Sequence, residues 1–214
     1  AALGGSIAGG EYNVAIGNAT LDALTSGDSN TAIGYNSASG LTTGSANTFL
    51  GENAGSNAVV TGNDNVVVGK SAGANMTSAH SSVFMGKDAG GETTTGTLNT
   101  FVGYQAGKEA TTAAENTYIG YLAAGTGVGT SAYNVAVGNL TAQAATSMSE
   151  SIMIGHSAGN DNTTGSNIIA IGYQAYDGAD TENNNLAIGS NALGGSVAGG
   201  EENVAIGNSS LDAL

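Results

Sequence analysis

Apolar and polar positions alternate along this chain in short bursts, and the bursts return at a nearly fixed interval. A pentapeptide recurs twelve times, in most copies an Asn, three residues that are apolar or Thr, and a closing Gly. Examples are NVAIG at 13–17, NTAIG at 30–34, NTFLG at 47–51, NVVVG at 65–69, NTFVG at 99–103 and NTYIG at 116–120. The closing glycines, from Gly17 to Gly207, are always 17 or 18 residues apart. Before each Gly stands a branched or long apolar residue (Ile16, Ile33, Leu50, Val68, Met85, Val102), and two residues earlier another β-former (Val14, Thr31, Thr48, Val66, Val83, Thr100). Such period-two alternation predicts a short strand at every repeat. The Gly suits a corner, and the residue three places on is always small (Thr20, Ser37, Ala54, Ala72, Ala89), which implies a tight interior site.

No long segment keeps a 3.6-residue period, and Gly and β-branched residues are too frequent for helix. Seventeen extended residues span roughly 56 Å, enough for one coil of a narrow solenoid, and coils stack at about 4.8 Å. The expected fold is therefore all-β: a parallel β-solenoid, or β-roll, of about twelve coils of 17–18 residues. Residues 1–214 are expected to form a single continuous repeat array. Stacking places the strand-leading Asn residues above one another, which permits an amide ladder, interrupted where Ser82, Ser151 and Ile168 replace Asn. A longer period lies over the short one. LGGSIAGGEYNVAIGNATLDAL at 3–24 returns at 193–214 with four differences, an offset of 190 residues or eleven coils. That period leads to the expectation that the chain is a window on a longer fibre of eleven-coil units, either one larger polypeptide or subunits stacked end to end.

The middle residue of each pentapeptide points away from the β-branched face. It is never charged, and all three Phe of the chain occur there. An apolar stripe running the length of a rod is rarely left wet. Either another segment of the coil covers it, or it is an oligomer interface, which the narrow coil favours. Phe49, Val67, Phe84, Phe101, Tyr118 and Met153 are the expected interface residues, most simply around a threefold axis.

Composition narrows the function. Seventeen acidic residues against three Lys give a net charge of −14, which argues against nucleic acid and against anionic membrane surfaces. No apolar run approaches the ~20 residues of a membrane-spanning helix. Cysteine is absent, removing disulfides, thiolate metal sites and cysteine nucleophiles.

Runs such as NTFVGYQAG, NTAIGYNSASGLTTGSANT and NVAIG resemble the repeat regions of phage tail fibres and related tail-fiber-domain surface proteins. More loosely, they are similar to the head repeats of YadA-type trimeric autotransporter adhesins. The resemblance covers all twelve coils and implies a left-handed β-roll, trimeric, displayed extracellularly on a virion or cell. The repeat here is longer than the roughly fourteen residues of the adhesin heads.

GKSAG at 69–73 and GHSAG at 155–159 fit the pattern of a hydrolase nucleophile elbow. Yet Ser71 and Ser157 fall in a column that elsewhere holds Asn53, Asp88, Gln105 and Gln174, and only His80 and His156 could serve as a base. They are read as repeat residues, so no catalytic residue and no cofactor is expected, and the chain is not an enzyme. Asp28, Asp64, Asp161 and Asp180 lie in Gly- and Asn-rich turns and could ligate calcium, but they share no column and no metal site is assigned. The residue after the Gly gives a suggestive surface column, Tyr35, Tyr104, Tyr121 and Tyr173, which could face a cell-surface glycan or merely shield the coil edge. The leading expectation is a structural shaft or adhesive segment of an extracellular fibre, with copies of itself as its partner. Ice binding is the alternative from another class. Its regular Thr face is broken here by Val14, Val66, Ile169 and Leu186.

Overall fold

The computed structural model describes residues 2–4, 9–127, 129–178, 181–195 and 200–212. Each pentapeptide forms one three-residue strand. In chain order they are β1 (Val14–Ile16), β2 (Thr31–Ile33), β3 (Thr48–Leu50), β4 (Val66–Val68), β5 (Val83–Met85), β6 (Thr100–Val102), β7 (Thr117–Ile119), β8 (Val135–Val137), β9 (Ile152–Ile154), β10 (Ile169–Ile171), β11 (Leu186–Ile188) and β12 (Val204–Ile206). They build one twelve-stranded sheet in sequence order. All neighbours are parallel and in register, as in Val14↔Thr31, Ala15↔Ala32, Ile16↔Ile33. The fold is the all-β parallel solenoid that the glycine spacing predicts, one coil per pentapeptide.

Backbone groups reach alternately to the coil before and the coil after. In the sixth coil Thr100 N donates to Asn116 O (2.8 Å) and Gly103 N to Met85 O (2.8 Å), then Gln105 N to Lys87 O (2.9 Å) and Gly107 N to Ala123 O (2.9 Å). This bonding continues through the corners because each coil holds three residues near φ +46 to +62°: the one before the Asn position, and the second and fourth after the Gly. Most are not glycine, so each costs roughly 1–2 kcal/mol, offset by the inter-coil bonds the bend permits. The strand-closing Gly is different. Its φ lies at +127 to +145°. A Cβ on Gly34 or Gly51 would also stand 2.6 Å from the carbonyl oxygen of the equivalent Gly one coil on.

The Asn ladder forms. Asn47 donates its backbone N–H (3.0 Å) and Nδ2 (3.1 Å) to Asn30 Oδ1, and Nδ2 also reaches forward to Gly62 O (2.9 Å). One side chain thus ties three coils. The two serines continue the acceptor half of the ladder: Asn99 N donates to Ser82 Oγ (3.1 Å) and Ile168 N to Ser151 Oγ (3.1 Å). Only Ile168 breaks it. There the buried Tyr176 hydroxyl supplies the missing acceptor to Asn185 Nδ2 (3.1 Å) and donates to Glu182 O (2.8 Å). Burial pushes the Tyr176 phenol up to about 12, so it stays a donor. A second ladder, not anticipated from sequence, runs along the far side of the coil. Thr25, Thr77, Thr94 and Thr146 donate their hydroxyls to the carbonyls of Thr42, Thr94, Thr111 and Thr163 at 2.9–3.1 Å.

The strand faces are the reverse of the sequence expectation. Phe49, Val67, Phe84, Phe101, Tyr118 and Met153, expected at a subunit interface, are buried within their own chain. The middle of the strand points inward, and the β-branched residues on either side point out. The physical reason is a trade of bulk across the coil, between the strand centre and the fourth residue after the Gly. Phe49 faces Gly55, Phe84 faces Gly90, Phe101 faces Gly107 and Met153 faces Gly159, where a Cβ would strike the facing side chain. In some coils with Ala at the strand centre the fourth residue is large instead: Ala170 is paired with Tyr176 and Ala187 with Leu193, all buried, whereas Ala32 and Ala136 are paired with Ala38 and Ala142. Inside, Phe84, Phe101 and Tyr118 stack at 5.2 and 5.0 Å between centroids.

Two outcomes test this interior. Gly107→Leu alone should overfill the coil and Phe101→Ala alone should cost about 3–5 kcal/mol. Because the two changes share one space, the double variant should recover much of the loss in urea unfolding, and simple addition of the two losses would contradict the shared cavity. Tyr176→Phe should lower stability by about 1–3 kcal/mol by removing one hydrogen bond from Asn185 Nδ2, which keeps Gly200 O, and one from Glu182 O. Ile168→Asn in the same chain should restore part of it, and no rescue would show that the hydroxyl does not stand in for the ladder.

Candidate functional site

With the strand centre inside, the first and third residues of every strand form the outer surface. These twenty-four positions are four Thr (Thr31, Thr48, Thr100, Thr117) and twenty Val, Ile, Leu or Met, with no charge among them. Their backbones are fixed by the in-register sheet, so the side chains make two straight rows about 7 Å apart. Val66, Met85, Ile119, Ile152, Ile154 and Ile169 are exposed in the middle of the rod, at 36 to 41%. Exposure there is not an end effect. A face of this length and apolarity on a chain of net charge −14 is the feature that stands out on the surface.

The column after the Gly is outward, as expected: Tyr35, Tyr104, Tyr121 and Tyr173 are all exposed. Their geometry limits what they can bind. Tyr104 and Tyr121 stack on each other at 5.3 Å, and Lys87 Nζ lies 5.3 Å from the Tyr104 centroid, so both faces of Tyr104 are covered. Tyr173 has one face against the His156 ring at 5.4 Å. Tyr104 therefore offers its edge and hydroxyl outward, and sugar stacking on it is closed off. Lower in the same column Lys70 pairs with Glu52 at 3.0 Å, an exposed ion pair of small energetic weight.

The remaining motifs resolve into repeat chemistry. Ser71 and Ser157 occupy a left-handed corner at φ +55 and +54°. The His80 ring has Ser81 Oγ at 3.4 Å, and the His156 ring lies against Tyr173. Asp28 accepts the Glu11 backbone N–H of the preceding coil at 2.7 Å, and Asp161 accepts from its neighbour Asn160 Nδ2 at 3.0 Å. Asp180 lies outside the described residues. Among the described residues no group of three His, Cys, Asp or Glu side chains gathers as a metal site would require. Burial holds the Asp177 carboxyl above its ordinary range, with Gln174 Nε2 donating to it at 3.0 Å. Burial raises the Tyr118 phenol as well. Neither group faces a nucleophile. These motifs are repeat positions of a parallel β-solenoid.

Bulk misled the sequence reading of the strand. Phe and Met at the strand centre suggested a sticky outer stripe, and the Val, Thr and Ile rows suggested a core. The available signal was the exchange of Phe for Ala at the strand centre together with Gly for Leu or Tyr six residues on. No protein-family model, curated protein or solved structure matches the chain.

Proposed function

We propose that this chain is a non-catalytic shaft segment of an extracellular fibre, on a virion or a cell surface, and that it works as a homo-oligomer joined along the outward strand face. The observation that carries this reading is the uncharged face of twenty-four residues running through all twelve coils. A surface so apolar is stabilised by removal from water, at about 25 cal/mol per Å². Elsewhere the exposed large apolar side chains are scattered, as at Val59 and Leu98, or belong to the tyrosine column, so a second copy gains most on the strand face. Three copies around one axis bury three such faces against each other, in keeping with the resemblance to trimeric fibre repeats. The rest of the fold suits a spacer: ladders of amides, hydroxyls and backbone bonds run along the rod axis and resist extension. No helix among the described residues is long and apolar enough to cross a membrane. An adhesive role would fall to the hydroxyl edges of the tyrosine column.

Ice binding would use the same face, but only four of its twenty-four positions carry a hydroxyl. The two readings separate in one set of measurements. Sedimentation of the purified chain should give a multiple of 20.6 kDa, three being the expected number. Ile119→Asp with Ile154→Asp should yield a monomer with unchanged circular dichroism, because outward charges are tolerated in water and not between copies. A folded wild-type monomer at micromolar concentration would overturn the proposal. Thermal hysteresis in that monomer would establish the ice-binding reading in its place.

A further inference from the structure

The outward face is apolar except at four places, and those places are patterned. Thr31 and Thr48 are neighbours on β2 and β3; Thr100 and Thr117 are neighbours on β6 and β7. All four are half-buried at the first strand position. None of their hydroxyls makes a hydrogen bond within the chain, whereas the Thr ladder on the far side uses its hydroxyls on carbonyls. These four side chains therefore present unmet donors in the middle of a surface that gains by leaving water.

We infer that the four outward threonines set the register of self-association, aligning a second copy of this chain parallel and unstaggered. This rests on the outward face being the interface between copies. The occupant is a second copy because the face is straight, uncharged and as long as the rod. At about 4.8 Å per coil and roughly 11 Å wide it offers on the order of 600 Å² per copy, about 1,200 Å² for a pair, which is the lower end of stable interfaces. An interface this near the threshold needs the whole length of the rod.

Register then follows from the hydroxyls. When two faces meet, a Thr opposite Val or Ile is desolvated without a partner, while a Thr opposite Thr can exchange a hydrogen bond. Parallel and unstaggered, every Thr meets its own counterpart and all twelve strands are covered. A parallel stagger of one strand matches one Thr of each pair. A parallel stagger of four strands superposes β2 and β3 on β6 and β7, satisfies half of the hydroxyls and uncovers four strands at each end. The antiparallel arrangement that matches all four places β2 on β7 and β3 on β6, which leaves β9 to β12 without partners. Full coverage in the antiparallel sense matches only Thr100 with Thr117. One arrangement alone satisfies both demands. The device is the one by which a polar side chain in an apolar seam fixes the alignment of paired helices.

The chain has no cysteine, so single thiols can report alignment. Val66→Cys on β4 and Val135→Cys on β8 lie four strands apart on the same face. Each variant, oxidised in the assembled state, should cross-link to itself. In a mixture of the two, the 66–135 product should be rarer than the same-site products by at least about tenfold, the factor that one unmatched hydroxyl represents. Replacing Thr31, Thr48, Thr100 and Thr117 by Val keeps β-propensity and apolar area, so oligomers should persist, with the 66–135 product rising toward parity. Equal cross-linking in the parent background, or unchanged alignment after the Thr→Val replacements, would overturn the register inference while leaving the oligomer intact. A monomer in light scattering would remove the interface itself and both claims with it.

Discussion

In-register stacking is the constraint on which the rest of this structure depends. Each coil lies directly above the one before, so the nearest neighbour of any side chain is the same position one repeat away. Every column must therefore be compatible with itself. Amides satisfy this by bonding tail to head, as Asn30, Asn47 and Asn65 do. Aromatic rings satisfy it by stacking, as Phe84, Phe101 and Tyr118 do inside and Tyr104 and Tyr121 do outside. Glycines satisfy it by letting one corner approach the next. Like charges stacked at one strand spacing would repel, which fits the sparing use of charge, 9% of residues, in a repeat otherwise rich in polar groups.

The same constraint explains what could be read from the sequence. Column identity survives in the one-dimensional pattern, so the coil length, the strand positions, the parallel register and the Asn ladder were legible from the glycine spacing and the pentapeptide. The tight site after the Gly was legible too, since Thr20, Ser37, Ala54 and Ala72 are buried. Which face of the strand points inward was not. Period-two alternation assigns two faces without saying which is core, and here both faces are apolar. Deciding it needs a relation between columns within one coil, the exchange of Phe101 and Gly107 for Ala170 and Tyr176. The hydroxyl of Tyr176 replacing the acceptor lost at Ile168 is a relation of the same kind, between positions eight residues apart that no single column reveals.

Function follows from the division of labour among columns. Interior columns trade bulk across the coil, as Phe101 with Gly107 and Ala170 with Tyr176 do, while the strands stay in register. Axial ladders of Asn and Thr tie each coil to its neighbours. The outward strand rows are left with apolar side chains that no other part of the described chain covers. A solitary rod has no use for that surface, and an oligomeric shaft does. In the proposed assembly the four threonines among those rows would add alignment to adhesion, one face supplying both the attraction between copies and their order.

Phe84 and Met85 are adjacent in sequence and lie on opposite sides of one strand, and together they offer the most direct test of this account. Hydroxyl-radical footprinting with mass spectrometry, applied to the assembled protein and to a dissociated but folded variant, reads the exposure of both. Phe84 should be protected in both states, while Met85 should be protected only in the assembly and readily oxidised in the monomer. Phe84 becoming reactive on dissociation while Met85 stays unchanged would contradict the account, placing the strand centre between subunits and the Val, Ile and Met rows within the chain.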